Sequence, residues 1–232
     1  MRTLGLIGGM SWVSTAEYYR LANELVAERL GGLHSARILL ESVDFAEIEE
    51  LKLAGRWDLV AERLTACAQR LEAAGAEALV LCTNTMHHVA ASIEGATSIP
   101  FVHIADTTAD AVAAAGLRRV GLLATAFTME QPFYRERIAS HGIDVLVPDA
   151  DDRAAVSRII YDELCHDVVL PASRDFYRAV AARLVESGAE GIILGCTEVE
   201  LLLGDDDVSV PTFPTARLHV EAAVDLALAG SA

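Results

Sequence analysis

Residues 71–85 read LEAAGAEALVLCTNT, and residues 184–199 read LVESGAEGIILGCTEV. Each is the end of a helical stretch, a Gly-Ala-Glu turn, an aliphatic run and then Cys-Thr, with Gly195 inserted in the second copy. The aliphatic runs are continuous, not alternating, which is the pattern of a strand buried on both faces of a parallel sheet. Each run ends in a thiol beside small polar residues: Thr83, Asn84 and Thr85 follow Cys82, and Thr197 follows Cys196. One strand-end cysteine is an ordinary core residue. Two at matched points of a repeat need another reason.

The repeat extends outward. RTLGLIGGM (2–10) resembles RRVGLLATA (118–126), and YYR (18–20) resembles FYR (133–135), in the same order and at nearly the same offset. Strands are expected over TLGLIG (3–8), RILLESV (37–43), EALVLC (77–82), VGLLAT (120–125), IDVLVP (143–148) and GIILGC (191–196). A helix is expected over 14–30, with Ser14 as N-cap and Glu17 in the capping-box position. A long helical stretch should run through residue 74, and a last helix from about 215 to the end. The fold class is therefore α/β, with two pseudosymmetric lobes, each a mainly parallel sheet flanked by helices. The expected lobes are 1–105 plus 214–232, and 106–213, with the active site in the cleft between them. Ligands of α/β proteins bind at the carboxyl ends of parallel strands, so Cys82 and Cys196 are expected to enter that cleft from opposite sides. A helix start after each thiol should lower its pKa.

Composition narrows the function. The chain has 232 residues, 53% of them hydrophobic, and a formal charge of −16. That charge disfavours nucleic acid and anionic lipid, and no basic patch offsets it. No run of apolar residues is long enough for a membrane span, and MRTLGLIGG lacks a secretory leader's regions, so a cytoplasmic protein with reduced cysteines is expected. Lys52 is the one lysine. A pyridoxal-phosphate enzyme needs a buried Schiff-base lysine, and Lys52 lies in the polar stretch EIEELKLAGRWD. The expected cofactor is none.

Two thiols on opposite faces of one carbon suit racemisation: a thiolate removes the Cα proton and the opposed thiol returns one to the other face. The carbanion needs aimed donors, for which Thr83, Asn84, Thr85, Thr125, Thr197 and the backbone of GGMSW (8–12) are candidates. Other readings are plainer. Cys67 is mid-helix core, and Cys165 is packing or pocket lining. His87 and His88 are adjacent on a helix and no CxxC or HxxxH completes a metal set, so no metal is expected. GLIGGM lacks the third glycine of a dinucleotide fingerprint.

The stretches GLIGGMSWVSTAEYY, SVDFAEIEEL, CTNTMH, VGLLATAFTM, IIYDEL and LGCTEVELLL resemble the aspartate/glutamate racemase superfamily, and most nearly its broad-specificity amino-acid racemase branch. The resemblance implies a cofactor-independent racemase acting on a small amino acid with an α-carboxylate, usually a homodimer, with Cys82 and Cys196 as the two bases. It also implies substrate contacts from Met10 and Ser11, from the residues after the first cysteine, and from Thr125 and Thr197. Strict aspartate racemases carry an arginine and a lysine where this chain reads SVDFAEIE and IIYDELCHD, so a broader substrate range is expected. Pro214 replaces an aspartate of the family, with Arg217 and His219 nearby. Two further readings stay open: a maleate isomerase-like or decarboxylase-like enzyme on the same scaffold, and a non-catalytic small-acid binder or redox-responsive protein.

Overall fold

The structure is a computed structural model and describes residues 1–166 and 168–229. Its contacts divide the chain into two compact units, Met1–His103 with the segment from His219 on, and Ile104–Leu218. Asp167 of IIYDELCHD and residues 230–232 of the expected first lobe lie outside the described residues.

The first unit runs β1 (Leu4–Gly8), α1 (Trp12–Leu30), β2 (Ile38–Ser42), α2 (Phe45–Leu53), α3 (Trp57–Ala73), β3 (Ala78–Leu81), α4 (Ala90–Glu94) and β4 (Phe101–Val102). The second unit continues with α5 (Ile104–Ala114), β5 (Arg119–Ala124), α6 (Ala126–Glu130), α7 (Pro132–Ala139) and β6 (Asp144–Leu146). It then forms α8 (Ala150–Asp162), α9 (Pro171–Glu186), β7 (Ile192–Gly195), α10 (Thr197–Leu202) and β8 (Thr212–Pro214), and α11 (Thr215–Leu228) leads back into the first unit. Each unit holds one four-stranded sheet, of order β2-β1-β3-β4 and β6-β5-β7-β8, and every pairing is parallel. The two orders are the same once four is subtracted from the second. The chain is thus α/β with two like sheets flanked by helices.

The Gly-Ala-Glu repeat has a mechanical reason. Gly75 and Gly188 follow α3 and α9 with φ of 98° and 99°, a left-handed conformation that glycine adopts without the usual Cβ penalty. The next residue then closes each helix: the Ala76 N–H donates to the Leu71 carbonyl and the Ala189 N–H to the Leu184 carbonyl, both at 3.0 Å. The glutamates tie this turn to the strand that will lie beside the next one. Glu77 accepts the Thr3 N–H at 2.7 Å, and Glu190 accepts those of Arg118 and Arg119 at 2.8 and 3.0 Å. These two N–H bonds hold the Glu190 carboxyl below its ordinary pKa. One turn therefore caps a helix and sets the register of a central strand in each unit.

Around β1 and β3 the core packs Ile7, Leu64, Cys67, Leu79, Leu81 and Met86; around β5 and β7 it packs Val120, Leu122, Tyr134, Tyr177 and Ile193. Burying each aliphatic side chain contributes about 1.5–3 kcal/mol. Tyr18 and Tyr134 are both buried, although the YYR and FYR repeat aligns Tyr134 with the exposed Tyr19.

Three local expectations are corrected. Helix α1 starts earlier than residue 14, because Ser11 is the N-cap and its Oγ accepts the Ser14 N–H at 3.3 Å. The long stretch through residue 74 is two helices, broken where Gly55 takes a φ of 68° and the Arg56 N–H turns back to the Leu51 carbonyl. Short strands β4 and β8 were not expected: they follow Pro100 and Pro211, and two or three residues make no readable apolar run. Among the described residues no helix is long and apolar enough to cross a membrane.

Candidate active site

In each sheet the chain leaves the second strand of the order for the edge and returns on the other side. The switch point therefore lies between β1 and β3, and between β5 and β7. Connections diverge there and open a crevice at the carboxyl ends. The two candidate catalytic cysteines and the candidate substrate contacts fall at these strand ends. Met10 and Ser11 follow β1, and Cys82, Thr83, Asn84 and Thr85 follow β3. Thr125 follows β5, and Cys196 and Thr197 follow β7. The registers Ile7↔Leu81 and Ala124↔Gly195 set the paired ends side by side.

In the first unit, a tight backbone crossing places the loop after β1. Gly9 has a φ of 96°, and a Cβ there would overlap the Val43 carbonyl. The Gly9 N–H donates to Thr15 Oγ1 at 2.8 Å, and Ser11 beyond it caps α1. Cys82 is wholly buried, and its N–H donates to the Ile7 carbonyl at 2.9 Å. The residues after it form a 3-10 turn, Thr85–Val89, before the short α4. No extended helix begins at the thiol. Burial pushes the Cys82 thiol well above its ordinary pKa, the reverse of the lowering expected from a helix dipole.

The histidines are structural members of this unit. His87 Nδ1 lies 2.7 Å from the Thr83 carbonyl, which can only accept, so Nδ1 carries the hydrogen and braces the loop after Cys82. Its ring packs against Phe101 and His103, with centroids 5.5 and 4.6 Å away. His88 lies edge-on to Trp57, and burial lowers its pKa. His219 is fully buried in α11, with Nε2 2.7 Å from the Val102 carbonyl and Nδ1 2.9 Å from the Tyr18 hydroxyl. Nε2 must be the donor, so the neutral ring accepts from Tyr18 through Nδ1. Burial, with His103 adding to it, lowers the His219 pKa to about 4. Among the described residues no group of three or more His, Cys, Asp or Glu is placed to hold a metal ion.

In the second unit Thr125 caps α6, and its Oγ1 lies 3.1 Å from Thr128 Oγ1. Cys196 stands at the N-cap position of α10, half-buried. Its thiol donates to Oε2 of Glu198 at 2.9 Å, and the Thr197 hydroxyl donates to the same oxygen at 2.8 Å. Glu198 is only 3% exposed. Burial first, then the Glu198 charge and hydrogen bond and nearby Cys165, push the Cys196 thiol well above its ordinary pKa. The dipole of a six-residue helix does not overcome them. Sequence reading missed Glu198, although it is the residue that follows Cys-Thr. Cys165, in the 3-10 turn Leu164–His166, is close enough to act on Cys196 electrostatically. Cys67 is core in α3, with its thiol raised to about 11 by burial. Pro214 pairs with Leu194 in β8, and Glu200 Oε1 accepts the Ala216 N–H at the start of α11. All four cysteines are free thiols.

Two like parallel sheets, each with a cysteine at the switch point and hydroxyl groups beside it, define a duplicated α/β protein with a thiol at matched strand ends. The chain belongs to the Asp/Glu/Hydantoin racemase family, whose model matches residues 7–223. It is similar to a provisionally designated Asp/Glu racemase from Yersinia pestis: 53% identity, 98% of this chain and 100% of that one covered, and a TM-score of 0.93. An aspartate racemase homologue from Pyrococcus horikoshii shares 32% identity over 98% of this chain and 99% of its own, with a TM-score of 0.87. At 18% identity, over 100% of this chain and 94% of the other, an aspartate racemase from Picrophilus torridus shares the fold, with a TM-score of 0.78.

Proposed function

We propose that this protein is a racemase of free amino acids, working without pyridoxal phosphate, in which Cys82 and Cys196 are acid and base for the two faces of Cα. The observation that carries this reading is the matched placement of the thiols. Each ends the strand on the same side of the switch point in a sheet of the same order, and each is followed by threonine. A residue kept at both copies of a duplicated sheet, and wholly or half buried in each, is best explained by a reaction that needs the same group twice.

The chemistry follows from the surroundings. Both thiols are held protonated at rest, as proton donors must be. Removing a Cα proton leaves charge on the substrate carboxylate, where aimed N–H and O–H groups lower the barrier most. Thr83, Asn84, Thr85, Thr125 and Thr197, with Met10 and Ser11 on the loop after β1, are the proposed substrate contacts. Freedom from pyridoxal phosphate is supported by Lys52, whose ammonium is ion-paired with Glu49 at 2.6 Å on α2. A range wider than aspartate is supported by Ile48, buried in one cluster with Met10 and Met86 and offering no cation for a side-chain carboxylate.

A homodimer is part of the same proposal. Trp12 and Tyr19 lie two turns apart on α1 and are 72% and 55% exposed, an apolar face suited to a second copy. Sedimentation at micromolar concentration should give twice the chain mass, and a monomer would refute the pairing. The activity itself is tested by incubating the protein with single enantiomers of each chiral standard amino acid, without pyridoxal phosphate, followed by chiral chromatography. The opposite enantiomer should appear from at least one acidic or polar amino acid. Failure with all of them would reject the racemase reading.

A further inference from the structure

We infer that Thr15 is the positioning residue of the loop after β1: its hydroxyl ties Gly9 to Ser11 and so sets where Met10 and Ser11 meet the substrate; this rests on the racemase reading above. All of these residues lie in the first unit.

Thr15 belongs to the first turns of α1, is 4% exposed, and reaches back to the loop that precedes the helix. Its Oγ1 lies 2.8 Å from the Gly9 nitrogen and 2.8 Å from the Ser11 carbonyl oxygen. A carbonyl can only accept, so the hydroxyl hydrogen goes to Ser11 and an oxygen lone pair receives the Gly9 N–H. One hydroxyl thus bridges the two ends of Gly9-Met10-Ser11 and fixes the residue between them. The Thr15 N–H adds a second bond to the Ser11 carbonyl, at 3.2 Å. From the other side the Val43 N–H donates to the Gly8 carbonyl at 3.0 Å. The strand end is therefore held by α1 and by the segment after β2 together. Gly9 is buried, and a buried N–H that loses its acceptor is destabilising, so the loop has one favoured position.

The Thr15 methyl group acts alongside the hydroxyl. A Cβ on Gly8 would stand 2.4 Å from Thr15 Cγ2 and 2.8 Å from Oγ1, so the absent side chain of Gly8 is the space that Thr15 fills. The repeat departs from its own pattern here. Setting RTLGLIGGM (2–10) on RRVGLLATA (118–126) places Gly8 against Ala124 and Gly9 against Thr125. In the second unit the strand end carries its own methyl group and its own hydroxyl, and Thr125 Oγ1 accepts the Thr128 N–H at 3.3 Å. In the first unit neither aligned residue has a side chain. A methyl group and a hydroxyl reach the same level of the sheet from the helix instead, on Thr15. Misplacing a substrate contact by about 1 Å costs a reaction on the order of 10²-fold, so the hydroxyl that fixes Met10 and Ser11 controls turnover without touching the substrate.

The test compares wild type with Thr15→Val, which keeps the shape and removes the hydroxyl, and Thr15→Ser, which keeps the hydroxyl and removes the methyl group. Tm is read first, and kcat/KM for racemisation is then measured well below the lowest Tm, so that a loss reflects loop position and not unfolding. Thr15→Val should lose about 10- to 100-fold in kcat/KM. Thr15→Ser should keep most of the wild-type value even where its Tm falls. The second measurement needs no turnover: amide hydrogen exchange by mass spectrometry of a proteolytic peptide that contains Gly9 and ends before residue 15. Exchange there should quicken in Thr15→Val and stay as in wild type in Thr15→Ser. If Thr15→Val does not fold, Thr15→Ala takes its place with the same expectations. The proposal is overturned by a hydroxyl-free variant that lowers Tm but keeps wild-type kcat/KM, by equal losses in Thr15→Ser and Thr15→Val, or by unchanged exchange at Gly9. If wild type racemises nothing, the function proposed above fails, while the exchange rates still judge whether Thr15 fixes the loop.

Discussion

The Cys82 N–H donates to the Ile7 carbonyl at 2.9 Å, so the thiol is held by β1, the neighbouring strand, and not only by its own loop. This bond extends the β1–β3 ladder one residue beyond the last paired strand position, Ile7↔Leu81. It makes the sulfur position a property of the sheet. Replacing the side chain should therefore leave the fold intact and remove only the chemistry. Cys82→Ala and Cys196→Ala should each lose at least about 10²-fold in racemisation, the scale of one general acid or base. The double variant should be little worse than either, since a pair that acts as a unit is lost with its first member. Chiral chromatography of initial rates checks this, and normal turnover by either single variant would contradict it.

The loop that carries Met10 and Ser11 depends on a position only glycine fits. Gly9→Ala adds a Cβ at a φ of 96° against the Val43 carbonyl. Such a residue costs about 1–3 kcal/mol, which for a chain of this size lowers Tm by roughly 2–12 °C. Thermal unfolding by circular dichroism measures the drop, and an unchanged Tm would show that the loop relaxes freely.

Ser11 has two jobs that can be separated. Its Oγ caps α1 through the Ser14 N–H, so Ser11→Ala should cost about 1 kcal/mol of stability. If it also contacts substrate, KM should rise in the same variant. Ser11→Asp restores a cap but places a negative charge beside an anionic substrate, so it should recover Tm and raise KM further. A variant that changes Tm alone would confine Ser11 to capping.

Buried His219 makes stability depend on pH. The folded protein refuses its proton down to about pH 4, whereas the unfolded chain takes one near the ordinary value of about 6.5. Between these values the unfolded state binds more protons, so stability falls as pH drops through that window and levels off below it. The contribution is of order 3 kcal/mol. His219→Gln can still serve Tyr18 and the Val102 carbonyl without titrating, so the stability difference between it and wild type should shrink as pH falls from about 7 to 4. Urea unfolding at several pH values checks this, and a constant difference would refute it.

Strands were the most legible part of the fold, because LVL and IIL are continuous runs that only a sheet covered on both faces can bury. The duplicated Gly-Ala-Glu was visible as a pattern, but its meaning needed coordinates: nothing in the letters says that Glu77 reaches back to Thr3. The start of α1 was misread because Ser14 with Glu17 imitates a capping box, while Ser11 holds the real cap three residues earlier. For the candidate site, the strand ends could be found from Cys-Thr alone. The charge state of the thiols could not. A helix after each cysteine argued for a lowered pKa, and only three-dimensional burial, with the Glu198 carboxylate turned onto sulfur, reverses that sign. His219 was hidden for the same reason, since both of its partners, Tyr18 and Val102, are far away in the chain.

Transfer of hydrogen at Cα in D2O, read together with inversion of the recovered amino acid, tests the proposed chemistry most directly. A single enantiomer is incubated with the protein, and at low conversion the product is examined for deuterium by mass spectrometry. On the proposed mechanism one thiol removes a proton and the other delivers one, so the product should carry one deuteron at Cα. A product that keeps the substrate's own hydrogen, or no product at all, would contradict two-thiol racemisation.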